Sequence, residues 1–259
     1  MPLSIWIDIA VQAPAHSQVG GLLTYRSPVP VHPGQLVRVP FGQREVLGVV
    51  WAIRDSDPDG MAASQVREVL GVLEGLPPLD ASWRQLVQFS AQYYQRALGE
   101  VALSALPPQL RDLTSEQLAR RLKKQTERTV QTAPGPALSP EQITVLDQMA
   151  HGPGPFLLFG STGSGKTEVY LQAVERMLAA DPQAQALLMV PEINLTPQLE
   201  ERVQERFGAD AVVSMHSGMT PAQRLKGWLA AHAGHARIVL GTRMAIFASM
   251  PHLKLIVVD

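Results

Sequence analysis

The chain has 259 residues and carries 22 Lys and Arg against 23 Asp and Glu, for a formal net charge of −1. That length is enough for two domains, and so even a balance does not announce a nucleic-acid binder, although a local basic groove can sit inside a neutral total. There is no cysteine, which excludes disulfides and thiolate zinc sites and fits a reducing interior. No stretch approaches the roughly 18 apolar residues of a membrane helix, and Asp8 interrupts the first apolar stretch with no basic leader before it. The expectation is a soluble, cytoplasmic protein without a membrane partner.

In chain order, Leu3, Ile5, Ile7, Ile9 and Val11 alternate with Ser4, Trp6, Asp8 and Ala10, the period of a strand with one buried face. Further short strands are expected at 22–25, 35–39, 46–53 and 66–73, separated by Pro28, Pro30, Pro33-Gly34, Pro40 with Gly42, and Asp57-Pro58-Asp59-Gly60. Five short strands with such turns suggest a small barrel or curled sheet. On composition alone that barrel is equally a structural module with no ligand. Residues 80–98 then read as one amphipathic helix capped by Asp80, with Trp83, Leu86, Val87, Ser90, Tyr94 and Ala97 along one side. Tyr93 and Tyr94 could stack bases, but aromatic residues at this spacing are expected to pack on the barrel. Pro107-Pro108 ends the unit. Residues 114–128 form a polar helix with Arg120, Arg121, Lys123, Lys124 and Arg128, read as a solvated face rather than a phosphate contact. Thr132-Ala133-Pro134-Gly135-Pro136 is a linker by composition.

From about residue 137 helices and strands alternate, the pattern of a parallel, doubly wound sheet. Ser139-Pro140-Glu141-Gln142 is a helix start with a capping box. Phe156-Leu157-Leu158-Phe159 reads as a buried strand, and Gly160-Ser161-Thr162-Gly163-Ser164-Gly165-Lys166-Thr167 satisfies the phosphate-loop pattern just before a helix with apolar residues Val169, Leu171, Val174 and Leu178. Gly163 and Gly165 let the backbone N–H groups turn inward on phosphate oxygens. The helix N-terminus adds partial positive charge. Lys166 can reach the outer phosphates, and the Thr167 hydroxyl can hold Mg2+. Strands follow at 186–190, 212–213, 237–240 and 253–258, with helices opened by Thr196-Pro197 and Thr220-Pro221. Loops 191–195, 214–219 and 241–243 then lie with the phosphate loop at the carboxyl ends of the strands, where ligands bind in such sheets. Asp259, after four apolar positions, has the form of the second nucleotide motif and is expected to help hold Mg2+.

The strings GSTGSGKTEVYL (160–171), VPEINLTPQ (190–198), MHSGMT (215–220), GTRMAIF (241–247) and LIVVD (255–259) resemble, in order and spacing, the successive motifs of the PriA family of primosomal replication-restart DNA helicases, and VRVPFG (37–42) with VLGVV (46–50) resembles that family's amino-terminal DNA-binding domain. The resemblance implies an α/β protein. A small β-barrel-like DNA-binding domain with a helix occupies 1–106, a polar helix and linker 107–136, and an incomplete RecA-like helicase lobe 137–259. It implies an ATP-dependent 3′-to-5′ helicase that binds stalled forks. ATP and Mg2+ are its cofactors, forked or single-stranded DNA its substrate, and other primosome proteins and single-strand-binding protein its partners in a nucleoid-associated setting. By position, Gln142 would recognise adenine. Gly160 through Thr167 would bind nucleotide, with Lys166 and Asp259 catalytic and Thr167 and Asp259 on magnesium. Pro191, Glu192, His216, Ser217, Thr242 and Arg243 would track DNA or couple it to ATP, hydroxyl, amide and Arg groups suiting a sequence-independent phosphate track. Gly42 would line a pocket for a free 3′ DNA end.

The sequence also departs from the family. Leu23-Thr24-Tyr25 stands where the family commonly has Phe-Asp-Tyr, which removes a carboxylate from the 3′-end pocket, and Asn194 replaces a glycine. The segment before the linker is too short for the family's winged-helix domain. The family continues past the aspartate with Glu-Glu-His, a further motor strand, a zinc module and a second lobe, whereas this sequence stops at Asp259. The expectation is therefore an amino-terminal part that binds ATP weakly and does not unwind DNA alone, the missing glutamate being the expected base. The missing strand would leave a gap beside the phosphate-loop strand or let its neighbours re-pair. The alternative is a fork-binding scaffold without motor activity. A small-molecule kinase on the same loop would explain neither 241–243 nor the first domain.

Overall fold

The computed structural model describes residues 5–13, 21–55, 65–123, 133, 135–152, 154–161, 163–191 and 196–259. Among these, no helix is long and apolar enough to cross a membrane. The chain divides into two compact units. One contains 1–126, 219–233 and 247–251; the other contains 127–218, 234–246 and 252–259.

The first unit is built on an antiparallel sheet of β1 (Ile5–Val11), β2 (Leu22–Ser27), β3 (Leu36–Phe41), β4 (Arg44–Arg54) and β5 (Gly71–Val72), in the order β2-β1-β4-β3-β5. The alternation in β1 sends Ile7, Ile9 and Val11 inward against Tyr25, Val37, Val39 and Val50. The two edges are drawn together by one segment. Arg26 N–H donates to Arg67 O (2.9 Å) and Val69 N–H to Arg26 O (2.9 Å), while Leu70 N–H donates to Arg38 O (2.8 Å). Residues 67–70 thus bond β2 on one side and β3 on the other, which curls the sheet toward a barrel and shortens the expected strand 66–73 to the two residues of β5.

The expected single helix over 80–98 is two. The first, α1 (Ala81–Tyr93), is capped as expected by Asp80, whose Oδ1 accepts from Trp83 N–H at 2.6 Å. The chain then turns through Gln95, at φ 51°, into α2 (Leu98–Ser104). The break lets α2 lie against β1: a Cβ added at Gly99 would come within 1.8 Å of Val11 O, so only glycine allows that approach. Tyr93 and Tyr94 do not pack on the barrel. They are 69% and 70% exposed, and with Phe89 they form a ring cluster on the surface. The polar helix is α3 (Ser115–Lys123); its expected continuation, with Lys124 and Arg128, lies outside the described residues.

The unit is completed from far along the chain. The helix opened by Thr220-Pro221 (Pro221–His232, numbered α7 below in chain order) belongs to it, as does the segment 247–251. The His232 ring donates from Nε2 to Pro77 O (2.8 Å) and accepts at Nδ1 from Ser249 Oγ (2.8 Å), and Trp83 Nε1–H donates to Phe247 O (2.9 Å).

The second unit holds α4 (Pro140–His151), α5 (Lys166–Ala180), β6 (Gln185–Met189), α6 (Pro197–Phe207), β7 (Val212–Met215), β8 (Ile238–Gly241) and β9 (Leu253–Val258). The sheet is parallel throughout, in the order β7-β8-β6-β9. The apolar runs of β6, β7 and β8 are buried almost throughout, as in a sheet covered on both faces, whereas β9 alternates half-buried and exposed residues. Leu171, Val174, Ala186, Leu188, Val203, Phe207, Ile238 and Leu240 form the core.

One expectation fails here. Residues 156–159 do not form a strand, and Leu157 and Phe159 are 92% and 93% exposed. An apolar run becomes a strand only beside a hydrogen-bonding neighbour, and among the described residues β9 pairs with β6 alone.

Candidate nucleotide and nucleic-acid sites

The register places the loops. Met189 pairs with Gly241 and Val258, and Met215 pairs with Gly241, so β6, β7, β8 and β9 all end at one level. Asp259 N–H donates to Met189 O (2.9 Å) and Thr242 N–H to Met215 O (3.1 Å), binding each strand end to the next.

At the glycine loop, Gly163 and Gly165 stand at φ 81° and 83°, the left-handed region that glycine alone adopts freely. Gly165 caps α5 with no side chain, so the first amides of the helix receive no side-chain oxygen there. The Lys166 ammonium folds onto the loop, donating to Gly160 O (2.7 Å) and Ser161 O (3.0 Å). Left-handed glycines, an uncapped helix N-terminus and a lysine held over the loop form a cradle for an anion. Thr162 lies outside the described residues.

Gln142 does two jobs at once. Its Oε1 accepts from Ser139 N–H (2.8 Å) and Ser139 Oγ accepts from Gln142 N–H (3.3 Å), the expected capping box. Its Nε2 donates to Gly165 O (3.3 Å). The glutamine therefore ties the start of α4 to the glycine loop.

Of the residues assigned to DNA, His216 is half-buried, and Ser217, Arg243 and Pro191 are exposed. Thr242 is 2% exposed and its hydroxyl finds no hydrogen-bond partner among the described residues. Glu192 and Asn194 lie outside the described residues. Gly42, at φ 62°, sits in the β3–β4 turn with open space beside its Cα, and its carbonyl accepts from Arg67 (2.7 Å). Tyr25 donates its hydroxyl to Pro40 O (3.0 Å) nearby. Burial lifts its phenol above the ordinary value, with Arg67 opposing. Thr24, where the family carboxylate is missing, donates to Asp8 Oδ1 across the sheet (2.8 Å). A carboxylate thus stands one strand away.

Residues 139–259 match the family model described as DEAD/DEAH box helicase, and 8–107 match the PriA model described as 3′DNA-binding domain (3′BD). The chain is 31% identical to the replication restart protein PriA of Treponema pallidum over 98% of its own length. It is 46% identical to that of Bacillus subtilis over 40% of its length, and 29% to that of Haemophilus influenzae over 87%. The chain belongs to the PriA family. It spans 38%, 12% and 40% of those three relatives. A DEAD/DEAH box match implies use of ATP and Mg2+ in general terms.

Two residues of this PriA-family chain escaped the sequence reading. Tyr170 is buried, hydrogen-bonds with Thr167, and reaches Asp259 Oδ2 at 3.4 Å. Burial lifts its phenol above the ordinary value, with Asp259 adding and Thr167 opposing. It holds together the two residues assigned to magnesium, and the signal was its position three residues after Thr167 on the same helix face. Arg67 brings a cation to Gly42 from 25 residues away, which nothing in local spacing reports.

Proposed function

We propose that this chain is the nucleotide- and fork-engaging part of a replication-restart helicase. In this reading Gly160, Ser161, Thr162, Gly163, Ser164 and Gly165 wrap the phosphates of ATP. Lys166 leaves its two carbonyl partners for the outer phosphates, and Gln142 reads adenine beside the loop it already touches. Thr167 and Asp259, joined through Tyr170, would hold Mg2+, which supplies charge neutralisation on the transferred phosphoryl group. Pro191, His216, Ser217, Thr242 and Arg243 lie on the loops that would follow a DNA strand. Gly42, Tyr25 and Arg67 would receive a 3′ end. Movement 3′ to 5′ and the loading of primosome proteins would belong to the longer family protein, inside the cell at the nucleoid.

The observation that carries this is the cradle at 160–167: two left-handed glycines at an uncapped helix N-terminus, with a lysine folded over it. Titration of a fluorescent ATP analogue with Mg2+ tests it. Wild type is expected to bind, and Lys166→Ala to lose about tenfold or more in affinity, the loss of one charged hydrogen-bonding partner. Equal affinity would sink the reading.

The second reading, a fork-binding scaffold without motor activity, is favoured by the unpaired, exposed segment 156–159 that leads into the loop. Filter binding to forked DNA with open and blocked 3′ ends separates the two. A scaffold binds forks equally with and without the ATP analogue and Mg2+, in wild type and in Lys166→Ala alike, whereas a nucleotide-coupled part changes its fork affinity with nucleotide in wild type and loses that change in Lys166→Ala.

A further inference from the structure

Glu168 follows Thr167 directly, in the first turn of α5, and is 5% exposed. A buried carboxylate beside a phosphate cradle opposes the anion the cradle is shaped for, unless something neutralises it. Two arginines of α6 do so. Arg206 takes Glu168 Oε1, and Arg202 donates to Oε2 at 3.1 Å.

Arg206 is itself 6% exposed. Its other terminal nitrogen donates to Gln172 Oε1 (2.9 Å) and Glu175 Oε2 (2.7 Å), one and two turns along α5. Burial works against its charge, and the hydrogen bonds to Glu168 and Glu175 more than offset that. The segment leading to α4 rests on the same residue. Ala133 N–H donates to Arg206 O (2.7 Å), and a Cβ added at Gly135 would lie 2.6 Å from the guanidinium. α6 in turn begins at Pro197, capped by Thr196. Packing alone does not call for three buried or half-buried charges, Glu168, Arg206 and Glu175, since apolar replacement of such networks is often neutral for stability.

We propose that Arg206, with Arg202, is a positioning residue for nucleotide binding. It cancels the charge of Glu168 and fixes the first turn of α5, so that α6, with Ala133 and Gly135 resting on it, sets the affinity of the phosphate loop. This rests on the phosphate-binding reading of 160–167.

The test is a titration of the full chain with a fluorescent ATP analogue and Mg2+, alongside thermal melting. Arg206→Met is expected to weaken binding about tenfold, the scale of one uncompensated charge at this range. Adding Glu168→Gln to it is expected to restore affinity. Gly135→Ala, which pushes on the guanidinium, is expected to weaken binding without touching the loop. If Arg206→Met does not fold, Arg202→Gln, on a half-exposed side chain, carries the same expectation, again restored by Glu168→Gln. A purely structural network would lower the melting temperature and leave affinity unmoved, and Glu168→Gln would rescue nothing; either result overturns the proposal. Wild type that binds while every variant binds equally overturns this proposal alone, whereas wild type that does not bind overturns the loop reading with it.

Discussion

His232 shows how much one buried side chain can impose. Its ring is 2% exposed, stacks on Trp228 at 4.7 Å, and spends both nitrogens on Pro77 and Ser249. Burial lowers its pKa to about 4, against opposing pulls from Pro77 and Asp80. A histidine whose folded pKa lies below the unfolded value of about 6.5 contributes stability that is complete above that value. The contribution is lost as pH falls toward 4, on the order of 3 kcal/mol over the window. Melting curves between pH 7 and 4 are expected to show a shallower decline in His232→Gln than in wild type. Parallel declines would mean that His232 takes its proton without penalty. Nothing in the sequence marked this histidine, because its partners lie 155 and 17 residues away. Gln142 was legible because a capping box is a four-residue pattern, whereas its bond to Gly165 spans 23 residues and appears only once the fold is in place.

At the scale of elements, period and caps located the helices and strands, and neighbours decided the rest. β1 follows its alternation through Ile7 and Ile9, and Asp80, Ser139, Thr196 and Thr220 all cap helices as the sequence indicates. The helix over 80–98 broke because α2 must turn to approach β1, a demand invisible in its own amphipathic pattern. Gly99 is the visible trace of that demand. Gly99→Ala is expected to cost about 3 kcal/mol, the upper range for forced overpacking, since the added carbon meets the Val11 backbone and not a yielding side chain. Urea denaturation checks it, and an unchanged midpoint would show that α2 can retreat. Residues 156–159 failed for the opposite reason: their apolar character was clear, but among the described residues no strand pairs with them.

For the whole molecule, that failure leaves apolar surface together with an open strand edge. Leu157 and Phe159 are almost wholly exposed, and β9, with Ile256 and Val258 at 48% and 75%, is an edge strand of its sheet. Exposed apolar edges invite pairing with other chains. Light scattering of the purified chain is expected to rise with concentration, and Leu157→Lys with Phe159→Glu is expected to suppress the rise. Scattering that ignores both substitutions would place the association elsewhere.

The first unit is also scattered along the polypeptide. Residues 1–126 leave the ribosome with the seat of α7 bare, and they wait for His232 and the 247–251 segment through the synthesis of β6, β7 and β8. At 5–20 residues per second that delay is roughly 6–25 s. The first unit is therefore begun first and finished late, and a chaperone that shields the Pro77 side of the nascent chain would act in that interval.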